Sequence, residues 1–144
     1  MASKFSQGKY TIKNPDKYIG KKQPTYRSSW EFAFMNFCDN NPAVLNWTSE
    51  SVKIPYFNPV SGKQTIYVPD FLIVYVDANQ KQHTEVVEIK PSTETTMESA
   101  RSYRDKLSVA INMAKWAAAD SWARANNMRF RVITEYDIFK NVKR

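Results

Sequence analysis

The sequence predicts an α/β fold, a mixed four-stranded sheet flanked by helices, in the order helix, three strands, helix, strand, helix. Three observations carry this. Two apolar, β-branched runs, Val68 to Val76 and Gln82 to Ile89, flank a polar break centred on Asn79, the pattern of an antiparallel hairpin. Helical periodicity then runs from Met97 to Trp122, far beyond strand length. A short run, Phe130 to Thr134, follows it, and a crossover of that length permits parallel placement beside the hairpin.

Residues 1–25 show neither period and contain Gly8, Pro15, Gly20 and Pro24. They read as a flexible basic arm ahead of a domain spanning 26–144. Phe5, Tyr10, Ile12, Tyr18 and Ile19 are interleaved there with Lys13, Lys17, Lys21 and Lys22. Aromatics among lysines stack on bases while the lysines neutralise phosphates, so nucleic-acid contact is expected. The alternative is an arm whose aromatics pack back on the domain.

The first helix opens at Tyr26-Arg27-Ser28-Ser29-Trp30-Glu31 and ends near Asn40-Asn41-Pro42. Trp30, Phe34 and Phe37 fall at i, i+4 and i+7 and form its core-facing stripe. Ser28 and Glu31 match the capping-box spacing. Trp47 to Phe57 reads as the first strand, with Val52, Ile54 and Tyr56 alternating against polar neighbours, and Pro55 places its far end at an edge. Asn58 to Lys63 is a turn leading into the hairpin, so the first three strands form a meander. After Pro91 the chain turns helical, with Glu94 and Glu98 in the first turn, a break near Ser108, and Arg124 with Asn126-Asn127 at the end. Thr134 to Asp137 starts a short last helix.

At 144 residues the chain holds one core, and its 42% hydrophobic and 14% aromatic content belongs to a folded domain. No apolar run reaches the roughly eighteen residues that cross a bilayer, so a soluble, intracellular protein is expected. The single Cys38, among Phe34, Met35 and Phe37, excludes an internal disulfide and a cysteine-based zinc site, and reads as a buried hydrophobe. His83, the one histidine, reads as an ordinary strand residue. The net charge of +7 implies a polyanionic partner. That charge sits at the ends. Lys4, Lys9, Lys13, Lys17, Lys21, Lys22 and Arg27 face only Asp16, and Lys140, Lys143 and Arg144 close the chain.

The hairpin carries the chemistry. If its ladder is symmetric about Asn79, Asp70 stands directly opposite Glu88, and Lys90 shares the face of Glu88. Opposed like charges roughly 4.5–5.5 Å apart at Cβ destabilise a strand pair. Two carboxylates at that spacing suit a magnesium ion, which keeps several waters and completes its shell with phosphate. A lysine beside them orients or deprotonates the attacking water, or holds the phosphate. The chemistry implied is metal-assisted phosphodiester hydrolysis.

Pro69-Asp70, then Glu88-Ile89-Lys90 across a hairpin, resembles the PD-(D/E)XK nuclease superfamily. The element order from residue 26 to 139 is similar to its restriction-endonuclease-like αβββαβ core. Lys115 to Glu135 is similar to the endonuclease subunits of certain transposases. Tyr26-Arg27-Ser28-Ser29-Trp30-Glu31, Ile54-Pro55-Tyr56 and Tyr67-Val68-Pro69-Asp70-Phe71 resemble the head completion nucleases of large tailed phages.

The resemblance implies a DNA endonuclease using Mg2+, with Mn2+ substituting. Asp70 and Glu88 would be the ligands, Lys90 the water-assisting base, and Glu31 either a third ligand or simply a helix cap. It also implies phosphate contacts from Arg27, and from Lys115 unless that lysine only lies along the surface. Head and portal proteins would be partners in virion assembly, in the infected host's cytoplasm or on the virion. A non-catalytic DNA-end or head-portal binding protein of the same fold is the alternative.

Overall fold

A computed structural model describes residues 7–97 and 100–137. The chain runs β1 (Gly8–Lys9), β2 (Thr25–Tyr26), α1 (Ser29–Asn40), β3 (Val44–Ser49), β4 (Ile54–Asn58), β5 (Lys63–Tyr67), β6 (Phe71–Val76) and β7 (Gln82–Ile89). A 3-10 turn (Ser92–Glu94), α2 (Tyr103–Ala125) and β8 (Arg129–Ile133) follow. The central sheet has the order β3-β6-β7-β8. β3, β6 and β7 are antiparallel neighbours, and β8 lies parallel to β7, as the long crossover through α2 allows. With α1 and α2 this is the restriction-endonuclease-like αβββαβ core.

The sheet separates two apolar layers. On one face α1 and the N-terminal segment bury Phe34, Met35 and Cys38 against Trp47, Phe71, Ile73 and Val87. On the other, α2 packs with Val52, Ile54, Tyr56 and Tyr67 around Ala119, flanked by Leu72, Trp116 and Trp122. Phe71 and Ile73 facing one layer and Leu72 the other is the period of two in a strand. That parity sends Asp70 and Glu88 toward α2. Within α1 the fully buried positions are Phe34, Met35, Cys38 and Asp39, so the helix is rotated from the predicted stripe and Trp30 and Phe37 lie at its margins.

Three expectations need correction. The strand expected over Trp47 to Phe57 is two strands. Glu50 adopts a left-handed φ of 53°, which an extended ladder cannot contain, and its N–H donates to the Asp70 carbonyl (2.9 Å), closing the pairing of β3 with β6. The alternation of Val52, Ile54 and Tyr56 is real, but it faces α2. β4 and β5 form their own two-stranded ribbon and not a meander with the sheet. Period two reports a buried face without saying which sheet owns the strand.

The second correction concerns α2. It starts at Tyr103, where Ser102 Oγ accepts the Asp105 N–H (3.0 Å), and it continues through Ser108 without a break. Glu94 lies in the 3-10 turn, and Glu98 falls outside the described residues. Ser102 with Asp105 in the first turn is the stronger start, because a short hydroxyl side chain satisfies an otherwise unpaired amide. The predicted C-terminus stands, with Arg124 in the last turn and Asn126 as cap.

The third is the flexible arm over 1–25. Residues 7–25 lie packed on the domain. β1 pairs with β2, and Tyr10 is buried with its hydroxyl donating to Asp39 Oδ2 (2.8 Å). Tyr18 bridges Trp47 in parallel register, so this segment covers the open edge of β3. The aromatics of the segment serve packing: Tyr18 sits edge-on to Trp47 at 4.7 Å. Lys4 and Phe5, and the tail cations Lys140, Lys143 and Arg144, lie outside the described residues. Glu135 to Asp137 are helical, as the Thr134-x-x-Asp137 spacing predicts, with Asp137 Oδ2 accepting the Thr134 N–H (3.0 Å).

Candidate active site

Strand register builds the site. Phe71 pairs with Val87 and Ser49 with Phe71. One step further along these ladders, Glu50, Asp70 and Glu88 occupy neighbouring positions on three adjacent chains. The placement of Asp70 opposite Glu88 is therefore the one that symmetry about Asn79 predicts. The turn keeps that register. Asp77 Oδ1 accepts the N–H groups of Asn79 (2.8 Å) and Lys81 (3.0 Å), while Gln80 takes a φ of 63°.

Asp70 is supplied with few donors. Its Oδ2 accepts the Ile89 N–H (2.8 Å). Glu88, 8% exposed, has Oε1 held by the Tyr67 hydroxyl (2.8 Å) and Oε2 3.9 Å from Lys90 Nζ. Burial, then the charges of Glu88 and Glu31, push the Asp70 carboxyl up to about 8, against the pull of the Ile89 N–H and Lys90. Burial also raises Glu88, opposed by the Tyr67 hydroxyl and by Lys90. Two carboxylates on one strand pair, both resisting ionisation, form a site that a positive charge would stabilise.

The N-terminus of α1 brings a third carboxylate to the rim. Ser28 Oγ accepts the Glu31 N–H (3.1 Å), and Glu31 Oε1 accepts the Arg27 N–H (3.2 Å). Glu31 thus closes the helix end, one residue off the capping-box geometry. Burial raises its carboxyl, opposed by Arg27 and reinforced by Glu50 and Glu88. Arg27 itself pairs with Glu50 (Nη1 to Oε1, 3.0 Å). On the α2 side, Lys115 Nζ lies 5.5 Å from the centroid of the Tyr67 ring. Its charge is felt at Glu88.

Asp70, Glu88, Lys90, Glu31, Arg27 and Lys115 therefore meet at one end of the sheet, while the four arm lysines do not share a role. Lys17 Nζ turns inward and donates to the carbonyls of Asp39 (3.1 Å) and Asn41 (2.8 Å), capping the C-terminus of α1. That position corrects its expected contact with DNA. The Lys13 N–H is tied to Asp39, but Lys13, Lys21 and Lys22 are exposed. Cys38 is buried, and His83 is satisfied by Asp77 (2.8 Å), so both are structural.

Sequence reasoning missed two residues. Tyr67 lies three positions before Asp70, and nothing in the sequence says its hydroxyl crosses to β7. Glu50 was expected inside a strand; only the true end of β3 reveals it beside Asp70.

Among the described residues, no three histidine, cysteine, aspartate or glutamate side chains stand close enough to enclose a metal ion unaided. The pair Asp70 and Glu88 still fits a hard divalent cation. Glu88 is buried and Asp70 half-buried, both are raised in pKa and oxygen-only, and magnesium needs just one or two carboxylates when waters and phosphate fill its shell.

Residues 41–135, from the end of α1 through β8, match the family described as TnsA-like endonuclease N terminal. The chain is 35% identical to the head completion nuclease of Enterobacteria phage T4, over 89% of this chain and 90% of that protein.

Proposed function

The chain belongs to the TnsA-like endonuclease family, and we propose that it is a magnesium-dependent DNA endonuclease, with manganese substituting, that works at Asp70 and Glu88. The observation that carries this is the opposed carboxylate pair, Glu88 buried and Asp70 half-buried, with the Ile89 N–H on Asp70 and the Tyr67 hydroxyl and Lys90 on Glu88. Asp70 and Glu88 would provide the oxygen ligands, and Glu31, held at the rim on the Arg27 N–H, would reach such an ion only as an outlying third carboxylate. A bound divalent ion supplies Lewis-acid activation of phosphate and water.

The remaining work belongs to the side chains. Lys90, beside Glu88, orients the attacking water or holds the phosphate. Tyr67 holds Oε1 of Glu88 and so fixes the direction in which Oε2, beside Lys90, is presented. Arg27 and Lys115 flank the carboxylates and offer positive charge to the substrate's phosphates. The 35% identical relative is named for head completion. On that likeness we place this nuclease at DNA ends during phage head completion, with head or portal proteins as partners in the infected cell.

The test is incubation with supercoiled and linear DNA, with magnesium, with manganese, and with EDTA. Cleavage that needs metal is expected. Cleavage undiminished in excess EDTA overturns the metal mechanism, and binding without cleavage under every metal favours a DNA-end binding protein.

A further inference from the structure

The β4–β5 ribbon has two unlike sides. Ile54, Tyr56 and Tyr67 are buried against α2. The opposite side is open: Phe57 and Ile66 are 52% and 53% exposed, and Val60 in the turn and Val68 just past β5 are exposed as well. Pairing of Pro55 with Ile66 and of Phe57 with Gln64 makes an apolar strip with one amide set into it. Contiguous apolar surface of this kind marks a place where something binds.

Charge identifies the partner. Residues 51–69 contain Lys53 and Lys63 and no aspartate or glutamate, in a chain carrying 14 acidic residues. Both lysines are exposed. The geometry agrees, because the major groove of DNA admits a two-stranded ribbon, where an apolar side chain meets thymine methyls and an amide reads base edges. The tip is preorganised: Asn58 Oδ1 accepts the N–H groups of Val60 (2.8 Å) and Ser61 (3.1 Å), and Gly62 takes a φ of 71°. β5 ends at Tyr67, which grips Glu88, and the chain reaches Asp70 three residues later. Whatever the ribbon holds is thereby positioned against the carboxylates.

Resting on the nuclease reading, we propose that the outer face of the β4–β5 ribbon docks in the major groove of the substrate duplex. Lys53, on the parity of Pro55 and Phe57, and Lys63, which flanks the strip at the turn, contact phosphates, and Phe57, Gln64 and Ile66 contact base edges.

The full chain in EDTA, titrated with a short blunt DNA duplex across a salt series, gives the test by fluorescence anisotropy. Replacing both lysines (Lys53→Ala with Lys63→Ala) should flatten the plot of log affinity against log salt by about 1.8, or about 0.9 per lost phosphate contact. Phe57→Ser with Ile66→Ser should weaken binding about tenfold or more at fixed salt while leaving the slope unchanged. Melting of both variants should match the parent, since these side chains are exposed. Unchanged affinity and slope in both overturn the proposal. So does an apolar variant that keeps DNA affinity but dissociates a dimer on sedimentation, which would make this face a contact between copies. If the parent still cleaves with manganese, only the ribbon's role falls. If the parent neither binds nor cleaves DNA, the nuclease reading falls with it.

Discussion

Asp39 and Asp70 are both carboxylates drawn away from water, and the molecule treats them in opposite ways. Asp39, at the end of α1, accepts the Tyr10 hydroxyl (2.8 Å), the N–H groups of Lys13 (2.8 Å) and Asn14 (3.0 Å), and the Asn14 side-chain amide (3.3 Å). Burial pushes its carboxyl up, but the Lys13 N–H, the Tyr10 hydroxyl and Asn14 outweigh it and hold the group below the ordinary range. Asp70 receives the Ile89 N–H and faces Glu88 and Glu31, and it is raised to about 8. Burial alone therefore does not mark a site. The supply of donors does. A saturated carboxylate fastens the N-terminal segment to the domain, and a starved one retains lone pairs for a cation.

The largest effect expected from this contrast is on cleavage. Asp70→Asn or Glu88→Gln should each lower metal-dependent DNA cleavage by more than about a hundredfold, beyond the ten- to hundredfold typical of residues that only support a ligand. Asp39→Asn should leave turnover per folded molecule unchanged. Comparable losses in all three, measured on protein shown to be folded, would erase the distinction between the two carboxylates.

A pair of tyrosines sharpens it. Tyr67→Phe removes the hydroxyl from Glu88, and the apparent affinity for manganese, followed as metal-induced thermal stabilisation, should fall roughly 10- to 100-fold. Tyr10→Phe removes the equivalent bond from Asp39 and should not alter the metal response. It should instead cost about 1.5–3 kcal/mol of stability, the usual worth of a hydrogen bond to a charged group. Equal metal responses in the two variants would show that Tyr67 does not support Glu88.

Much of the site was legible in the sequence because a hairpin obeys a simple rule. Side chains alternate, pairs sum to a constant, and one correct turn at Asn79 places Asp70 against Glu88. The same rule could not find Glu50, whose place depends on where β3 stops, a matter decided by one backbone angle. Nor could it show that Val52, Ile54 and Tyr56 belong to a separate ribbon, since their alternation is identical in either sheet. The N-terminal segment misled for another reason. Tyr10 and Tyr18 among lysines look like a surface for bases, but Asp39 binds Tyr10, Lys13, Asn14 and the segment's backbone from 29 residues away or less in sequence, a non-local match that no window reveals. Lys17 is the plainest case, since a lysine whose ammonium caps α1 is indistinguishable in sequence from one that meets phosphate.

The smallest effect is on stability against pH, and it has a definite sign. In metal-free protein the folded Asp70 carboxyl lies near 8, above its unfolded value of about 3.9. A carboxyl raised by folding contributes fully below the unfolded value, and that contribution is lost as pH rises through the window up to about 8. Desolvation sets the window first, Glu88 and Glu31 widen it, and the Ile89 N–H and Lys90 oppose them. Stability of the wild type should therefore decline across this window by at most about 1.4 kcal/mol per pH unit from this residue. Asp70→Asn keeps an acceptor for the Ile89 N–H, has nothing to ionise, and relieves Glu88 and Glu31 of a neighbouring charge. Its decline should therefore be shallower, while groups remote from the pair cancel in the comparison. Above pH 8 without metal it should be the more stable protein, by at least the roughly 0.2–1 kcal/mol of an opposed like-charge pair. Saturating magnesium should shrink the difference by stabilising the wild type alone. Denaturant melts of the two proteins at several pH values, with EDTA and with magnesium, measure all of this. Parallel curves would mean that Asp70 ionises as freely as an exposed carboxylate, and that donors in the folded protein satisfy it much as they satisfy Asp39.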